Sequence, residues 1–331
     1  DQTLAPDVYL IDKAAELGHH QMSGAVLDPR GIEKLFPNWL AEGFPIEARC
    51  EESNLDGFFK LRKDRPEIKR VFTPGVPHNR GNYVVSLQKV VSWLAKRAEE
   101  HGVNIFAGFA GSDIVYDDDR VAGVVTRDMG LNRWGERKAQ FEAVVELRAK
   151  VTVLAEGTRG SLAKHLIPNL GLDHGRNPQV YQLGCKEVWQ LSDHARRMFK
   201  PGDVLHTMGA PLDEAGVFGG GWVYGMAEGK VSIGLVCGLD YKNPAFDPHA
   251  AFQTWKTFPW MAKLLEGATL LHYGAKTIPD GGYFSMPKLA HHGVMLIGDT
   301  AGFMNSMRLK GIHLAMESGM MAAEAIFKSL L

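Results

Sequence analysis

The sequence predicts a mixed α/β fold in which a parallel-sheet domain carrying a β-meander is interleaved with an antiparallel-sheet domain. Three observations predict it. Short apolar runs stopped by an acid or a glycine recur at Asp7–Asp12, Val151–Gly157 and Val294–Asp299. The last two lead through small-residue turns into helical patterns, as the strands of a parallel sheet do. Alternating stretches at Asp113–Tyr116, Val121–Thr126 and Phe141–Leu147 read as a β-meander, and strand patterns dominate from Gln179 to about Tyr273.

The 331 residues, 45 % of them hydrophobic, suffice for a sizeable core. Residues 1–175 and 275–331 are assigned to the parallel-sheet domain and 176–274 to the antiparallel one. A net charge of −1 gives no electrostatic footprint for a nucleic-acid partner. Cys50, Cys185 and Cys237 lie far apart with no CxxC pair, which argues against a disulfide framework, a structural zinc or a four-cysteine iron–sulfur site in this chain. There is neither a signal-peptide pattern nor an uncharged run of membrane-spanning length. The chain opens on Asp1 and reads as starting inside a longer one.

In order, Asp7–Asp12 is a short strand ending in an acid, the place from which a carboxylate can accept hydrogen bonds from ligand hydroxyls. Asp28 to Leu35 reads as a short helix, and Gly43 to Asn82 as irregular and charged. Within the latter, aromatics beside lysines and arginines at Gly57–Lys63 and Arg70–Phe72 fit either a lipid interface or a loop packing its aromatics on the body. Val84 to His101 shows apolar residues at helical spacing, closed by Gly102. Asp117-Asp118-Asp119 reads as a polar hairpin turn rather than a calcium site. Val151–Gly157 is an apolar strand ending in Glu156-Gly157, and a helix begins at Ser161 to Leu166. Gly219-Gly220-Gly221 sits beside aromatics, which allows a flat ligand close to the backbone, although a bulge or bend is the commoner cause of strand glycines. Phe252 to Leu265 reads as one helix, and the paired histidines His19-His20 and His291-His292 as exposed turn residues.

The stretch Val294–Gly311 organises the rest. An apolar strand is stopped by Gly298-Asp299, a small-residue loop follows, and an apolar helix runs from near Gly311 to the last residue. His313, Glu317, Glu324 and Lys328 interrupt that helix, so it reads as buried rather than membrane-spanning. An acid at a strand end can hold ligand hydroxyls, and a helix entered through glycine offers unpaired N–H groups to an electron-rich atom. A plain turn and cap is the other reading of Gly298-Asp299.

Taken together, Met22-Ser23-Gly24-Ala25, GNYVVSL at Gly81–Leu87, KVTVLAEG at Lys150–Gly157, FGGGWVY at Phe218–Tyr224, GLDYKNP at Gly238–Pro244 and GFMN…KGIHLAMESG at Gly302–Gly319 carry a resemblance over essentially the whole chain. It resembles the flavin- and quinone-binding region of the electron transfer flavoprotein–ubiquinone oxidoreductases, with more distant similarity to nitrogen-fixation flavoproteins and geranylgeranyl reductases. The resemblance implies FAD contacts at Asp12 (adenosine ribose), Ser23, Gly24, Gly81 and Asn82 (isoalloxazine), Gly298 and Asp299 (ribityl chain), and Lys310 and Gly311 (pyrimidine end). Glu156 and Gly157 join this set at a second ligand-facing sheet edge, and Gly219 and Gly220 match the family's quinone-pocket glycines. The family's first strand with its G-x-G-x-x-G loop and its carboxyl-terminal iron–sulfur domain have no counterpart in this sequence, so the chain reads as an internal portion of a larger enzyme or as a divergent form of it. Ser86 stands where the family pattern has an arginine, and the charged Asp56–Phe72 stretch stands where it has a hydrophobic membrane loop.

The activity implied is FAD-dependent transfer of electrons from reduced electron transfer flavoprotein to membrane ubiquinone, at the cytoplasmic or matrix face of an inner membrane. The family's iron–sulfur cluster is expected outside this chain. No catalytic triad or paired carboxylates occur, in keeping with a reaction carried by distance and flavin electronics. Two alternatives are a flavin-dependent reductase or hydroxylase of an isoprenoid or aromatic substrate, and a flavin-free remnant that binds a partner or lipid.

Overall fold

The computed structural model describes residues 7–21, 24–71 and 78–331. The first third contributes strands to three sheets: β1 (Tyr9–Asp12), β2 (Ala25–Leu27), α1 (Arg30–Leu35), β3 (Ile46–Arg49), β4 (Asp56–Lys60), β5 (Lys69–Arg70), β6 (Tyr83–Val85), α2 (Leu87–Glu100) and β7 (Asn104–Ala107). β1 pairs in parallel with β7, placing Asp12 opposite Ala107, and β6 is the centre of an antiparallel β2–β6–β3 sheet. The helix expected from Val84 therefore starts one turn late. Tyr83, Val84 and Val85 are buried together, and a run of aromatic and β-branched residues prefers a half-open pleated surface to a helix. The 43–82 stretch, expected to be irregular, holds three strands.

The meander follows as β8 (Gly111–Asp117), β9 (Arg120–Thr126), β10 (Met129–Leu131), β11 (Arg137–Glu142) and β12 (Glu146–Arg148). Its three-stranded core is β12–β9–β8, and β10–β11 is a hairpin set into it, so the single strand expected over Phe141–Leu147 is divided between β11 and β12. The Asp117-Asp118-Asp119 turn is a hairpin turn, with Asp118 at φ 54° and Arg148 holding Asp117 at 2.9 Å.

Then come β13 (Thr152–Leu154), α3 (Ala163–Asn169), β14 (Tyr181–Gln190), α4 (Ala195–Met198), β15 (Val204–Thr207), β16 (Gly219–Gly225), β17 (Lys230–Gly238), α5 (Pro248–Lys256), α6 (Pro259–Leu265), β18 (Thr269–Pro279), β19 (Ala290–His291), β20 (Val294–Leu296) and α7 (Ile312–Leu330). The large sheet runs β18–β14–β17–β16–β15–β4–β5, so it takes two strands from the first third of the chain. The helix expected over Phe252–Leu265 is two helices. Proline cannot continue a helix from within but suits a first turn, and Pro248 and Pro259 each open one. Asp247 caps α5 by accepting from the N–H groups of His249 and Ala250 at 2.8 and 3.2 Å.

Period-two alternation gives the large sheet two different faces. On β17, Val231, Ile233, Leu235 and Cys237 pack with Phe252, Trp255, Met261 and Leu264 of α5 and α6. Ser232, Gly234 and Val236 point the other way. Lys256 of α5 is pinned to β14 by Glu187, both of whose oxygens lie 2.8 Å from its Nζ, and Trp189 Nε1 donates to the same carboxylate at 2.7 Å.

The parallel sheet comes in two pieces, β1–β7 and β13–β20, with β19 antiparallel beside β20. Among the described residues no strand pairs with the second edge of β1 or of β13. Both strands line one cavity that also borders α7 and the open face of the large sheet. No helix among the described residues is long and apolar enough to cross a membrane.

Candidate functional site

The cavity has a volume of about 2480 Å³, well above the roughly 300–1,000 Å³ typical of a small-ligand pocket. It extends from the strand ends of the parallel pieces to the open face of the large sheet, so it is large enough for an extended cofactor and a second ring system together.

Three strand-end turns and a helix start frame one side. Asp12 at the end of β1 accepts from the Ala14 N–H at 2.7 Å and borders the cavity. Glu156 also borders it, but its carboxylate is taken up by the first turn of α3, accepting from Ser161, Leu162 and Ala163 N–H at 2.8, 3.0 and 2.8 Å. A negative group there satisfies orphan donors and complements the helix dipole. Gly157, at φ +80°, accepts through its carbonyl from Thr300 Oγ1 at 3.0 Å, tying the turn after β13 to the turn after β20.

In that second turn Gly298 is buried and gives its N–H to Ser318 Oγ of α7 at 2.9 Å, so it does not border the cavity. Asp299 does. Burial raises its carboxyl pKa, and the charge of Lys276 works against that rise. Gly311 opens α7 onto the cavity, and a Cβ on it would lie 3.2 Å from Met304 Sδ and 3.5 Å from Asp299 Oδ1. The unpaired N–H groups of a 19-residue helix thus meet the cavity beside a carboxylate. Lys310 is buried, its Nζ 3.4 Å from the Arg308 carbonyl, and burial pushes its pKa down to about 8.

Gly24 enters β2 at φ +79°, with its Cα so close to β17 that a Cβ would fall 2.1 Å from Ser232 Cβ. Gly81 and Asn82 do not border the cavity. They form a turn, Gly81 N–H donating to the Cys50 carbonyl and Cys50 N–H to the Asn82 carbonyl, each at 2.9 Å. Ser23, with Met22, lies outside the described residues, as does Phe72.

The opposite wall is the open face of the large sheet. Gly219 and Gly220 border the cavity, yet the sheet itself accounts for their lack of side chains. A Cβ on Gly219 would lie 2.0 Å from the Val236 carbonyl oxygen, and one on Gly220 2.5 Å from that of Thr207. Across the sheet, Lys186, Gly234, Trp222, His206 and Phe58 share one register row and therefore one face. His206 Nε2 lies 3.0 Å from the Tyr224 hydroxyl, and its ring stacks on Phe58 at 5.0 Å. Burial, aided by the charge of Lys310, pushes the His206 pKa down to about 3, so the imidazole is neutral at physiological pH. Burial likewise raises the Tyr224 phenol. Phe58 and the buried Phe59 face the protein, which favours packing on the body over a lipid interface for these two rings.

Sequence reasoning missed Lys186, Trp222, His206 and Lys276. The one available signal was the alternation Gln182, Gly184, Lys186 along an otherwise apolar strand. His291 also departs from expectation: it belongs to β19 and its Nδ1 is buried without a partner, whereas its neighbour His292 is exposed and lies 3.6 Å from Asp119. The described residues contain no cluster of three or more His, Cys, Asp or Glu able to hold a metal ion.

Two family models match the chain: an FAD binding domain over residues 10–181, and the ETF-QO ubiquinone-binding domain over residues 181–278. The probable electron transfer flavoprotein–ubiquinone oxidoreductase of Acinetobacter baylyi is 43 % identical over 325 residues, covering 98 % of this chain and 56 % of that protein. The human mitochondrial electron transfer flavoprotein–ubiquinone oxidoreductase is 42 % identical over 327 residues, covering 98 % and 52 %. The chain thus spans about half the length of the curated relatives it matches.

Among solved structures, a geranylgeranyl bacteriochlorophyll reductase-like protein from Thermoplasma acidophilum superposes with a TM-score of 0.70 at 17 % identity, covering 98 % of this chain and 72 % of that one. A flavin-dependent brominase gives 0.63 at 18 %, covering 98 % and 73 %. At such identities the likeness is one of fold. The chain belongs to the FAD binding domain family, and it is similar over nearly its whole length to the electron transfer flavoprotein–ubiquinone oxidoreductases.

Proposed function

We propose that this chain is the flavin- and quinone-binding region of an oxidoreductase that takes electrons from reduced electron transfer flavoprotein, passes them through FAD, and gives them to ubiquinone at an inner-membrane surface. The observation that carries the reading is the single cavity, bounded on one side by the match to the FAD binding domain and on the other by the match to the ubiquinone-binding domain. Residues 1–175 and 275–331 supply the flavin part and 176–274 the quinone part, except that the quinone part's large sheet also takes β4, β5 and the end of β18 from the other segments. The cytoplasmic or matrix face of the membrane is part of this proposal, as is an iron–sulfur cluster held outside these residues.

The residues present fit a flavin. The cleft at Gly311, which a Cβ would crowd, leaves α7's N-terminal N–H groups open to a ring edge that gains electron density on reduction. Asp299 is placed to accept from a hydroxylated chain and Asp12 from a ribose, while Gly24 lets the main chain of β2 approach closely. Glu156 contributes by holding the α3 turn rather than by touching ligand. FAD, when bound, supplies both the two-electron acceptance and the stepwise release that a quinone requires. The chain's own part is to bind and orient both rings and to keep water from the space between them.

An absorption titration of the protein with FAD tests the first half. Flavin bands that co-purify through gel filtration support the reading, and their absence overturns it. Anaerobic reduction of short-chain ubiquinone, driven by reduced electron transfer flavoprotein, tests the second half. A flavin that is reduced but gives no electrons to quinone would favour a reductase or hydroxylase of another substrate.

A further inference from the structure

The open face of the large sheet carries a device that the flavin contacts leave unused. Trp222 of β16 lays its indole across the neighbouring strand: a Cβ on Gly234 would fall 2.1 Å from the ring, and one on Gly184, a strand further, would touch it at 3.6 Å. Two glycines therefore clear a shallow bed for one flat side chain. At the far edge of that bed stands Lys186 of β14, its Nζ 5.9 Å from the Trp222 ring centroid and its side chain bordering the cavity. Strands lie about 4.8 Å apart, so the backbones of Lys186 and Trp222, two strands distant, are separated by about 10 Å, a gap that the indole itself crosses. Gly220 lies one register row away on the same face. A quinone head bounded by Gly220 and lying on Trp222 would bring a ring oxygen to the Lys186 ammonium.

We propose that Lys186 is the proton donor to a quinone oxygen as the quinone is reduced, with Trp222 as the plate that sets the ring's height and tilt. This rests on the quinone reading above. In the step, the quinone would take two electrons from bound FAD in its reduced form, which would be oxidised and release its own ring proton to solvent. An N–H bond of the Lys186 ammonium breaks and an O–H bond forms at the nearer oxygen. The second oxygen takes its proton from solvent, and the neutral amine left behind recovers a proton from solvent through the cavity mouth. Proton transfer to an oxygen that gains charge is general acid catalysis, which works best when the donor's pKa is near the working pH. Burial lowers that of Lys186 to about 7. The ionisable groups on the same face around it are His272 and Lys276 on β18, Tyr224 on β16 and His206 on β15, and the Asp299 turn faces it across the cavity. Among the described residues, β17 presents Ser232, Gly234 and Val236 there, with Lys230 further along the same face held by Glu228, and β2 presents Ala25 and Val26.

The test has two arms. In the first, the FAD-loaded protein is labelled with a small acylating reagent across a pH series, with and without short-chain ubiquinone, and Lys186 is followed by peptide mass spectrometry. The expected result is labelling with a midpoint near neutral pH, well below the roughly 10.4 of a free lysine, and protection by quinone. In the second, K186Q and K186R are compared with the parent protein in anaerobic quinone reduction. Both should lose about 10²-fold in rate with little change in KM, and both should lose the inflection of the pH profile near neutrality.

Arginine keeps the charge but cannot give up its proton, so a K186R variant with parental rate and pH profile would reduce Lys186 to an electrostatic contact and overturn the proposal. Labelling that quinone does not affect, in a protein that still reduces quinone, would also overturn it while leaving the function reading intact. A flavin-loaded parent that reduces no quinone would overturn the function reading, and the proposal with it. The labelling arm uses the unaltered protein, so a variant that fails to fold does not decide the matter.

Discussion

At Gly234 the main chain of β17 lies directly under the Trp222 indole, and the closeness of that contact makes its chemistry testable. G234A has to push the ring out of its bed, which overpacking costs of about 1–3 kcal/mol predict as a lowered urea midpoint together with a shift in tryptophan emission. An unchanged midpoint and spectrum would mean that the indole does not lie on the strand. His206 gives a pH-dependent prediction. An unfolded histidine takes up its proton near pH 6.5, whereas the buried His206 does so only near about 3. Between those values the unfolded chain holds the proton and the folded one does not. Stability is therefore complete above about pH 6.5 and falls as pH drops towards 3, by up to about 1.4 kcal/mol per pH unit from this residue. Urea unfolding of H206Q should show a shallower loss over that window, and a slope equal to the parent's would contradict the burial argument. The row joining Lys186 to Trp222 and His206 was not legible beforehand, because it is a product of register between strands far apart in sequence.

Elements were legible where one physical signal acted alone and illegible where two competed. β13, β20 and α7 were clear from apolar runs closed by Glu156-Gly157 and Gly298-Asp299 and from an apolar helix pattern that four polar residues interrupt, although α7 buries only His313, Ser318 and Ala322 and its last turns are exposed rather than buried. Tyr83–Val85 has apolar residues that suit a helix face as well as a strand, and only its pairing with β2 and β3 selects the strand. Pro259 was visible, yet the helical spacing on both sides of it concealed the break between α5 and α6. The pinning of α5 by the buried Lys256–Glu187 pair needs the fold to be seen at all. K256M leaves the Glu187 carboxylate buried without its cation, and a loss of about 3–5 kcal/mol in urea unfolding is expected. A loss under 1 kcal/mol would show that Trp189 alone satisfies that carboxylate. A second contact joins elements at the cavity itself: Ser318 of α7 accepts the Gly298 N–H. S318A removes the acceptor and should cost about 1–3 kcal/mol while weakening FAD binding, since the same turn carries Asp299. Isothermal titration with FAD, read beside unfolding, separates those two effects.

Across the whole molecule, the two sheets meet in one cavity, and much of that arrangement followed from the sequence. Asp12, Gly157, Asp299 and Gly311 were singled out as strand-end and helix-start residues, and the structure brings them to one wall. Gly81 and Asn82 were chosen by motif alone and sit elsewhere, which shows the difference between a motif with a geometric reason and one without. The opposite wall was visible only as a glycine-rich strand, and its polar residues emerged from the sheet. The central claim is that one cavity holds a flavin and a quinone close enough to exchange electrons. Anaerobic stopped-flow mixing of the FAD-loaded, pre-reduced protein with short-chain ubiquinone tests it most directly. The visible flavin band should return with stoichiometric loss of quinone, at a rate that saturates with quinone concentration. A flavin that stays reduced in the presence of excess quinone would contradict it.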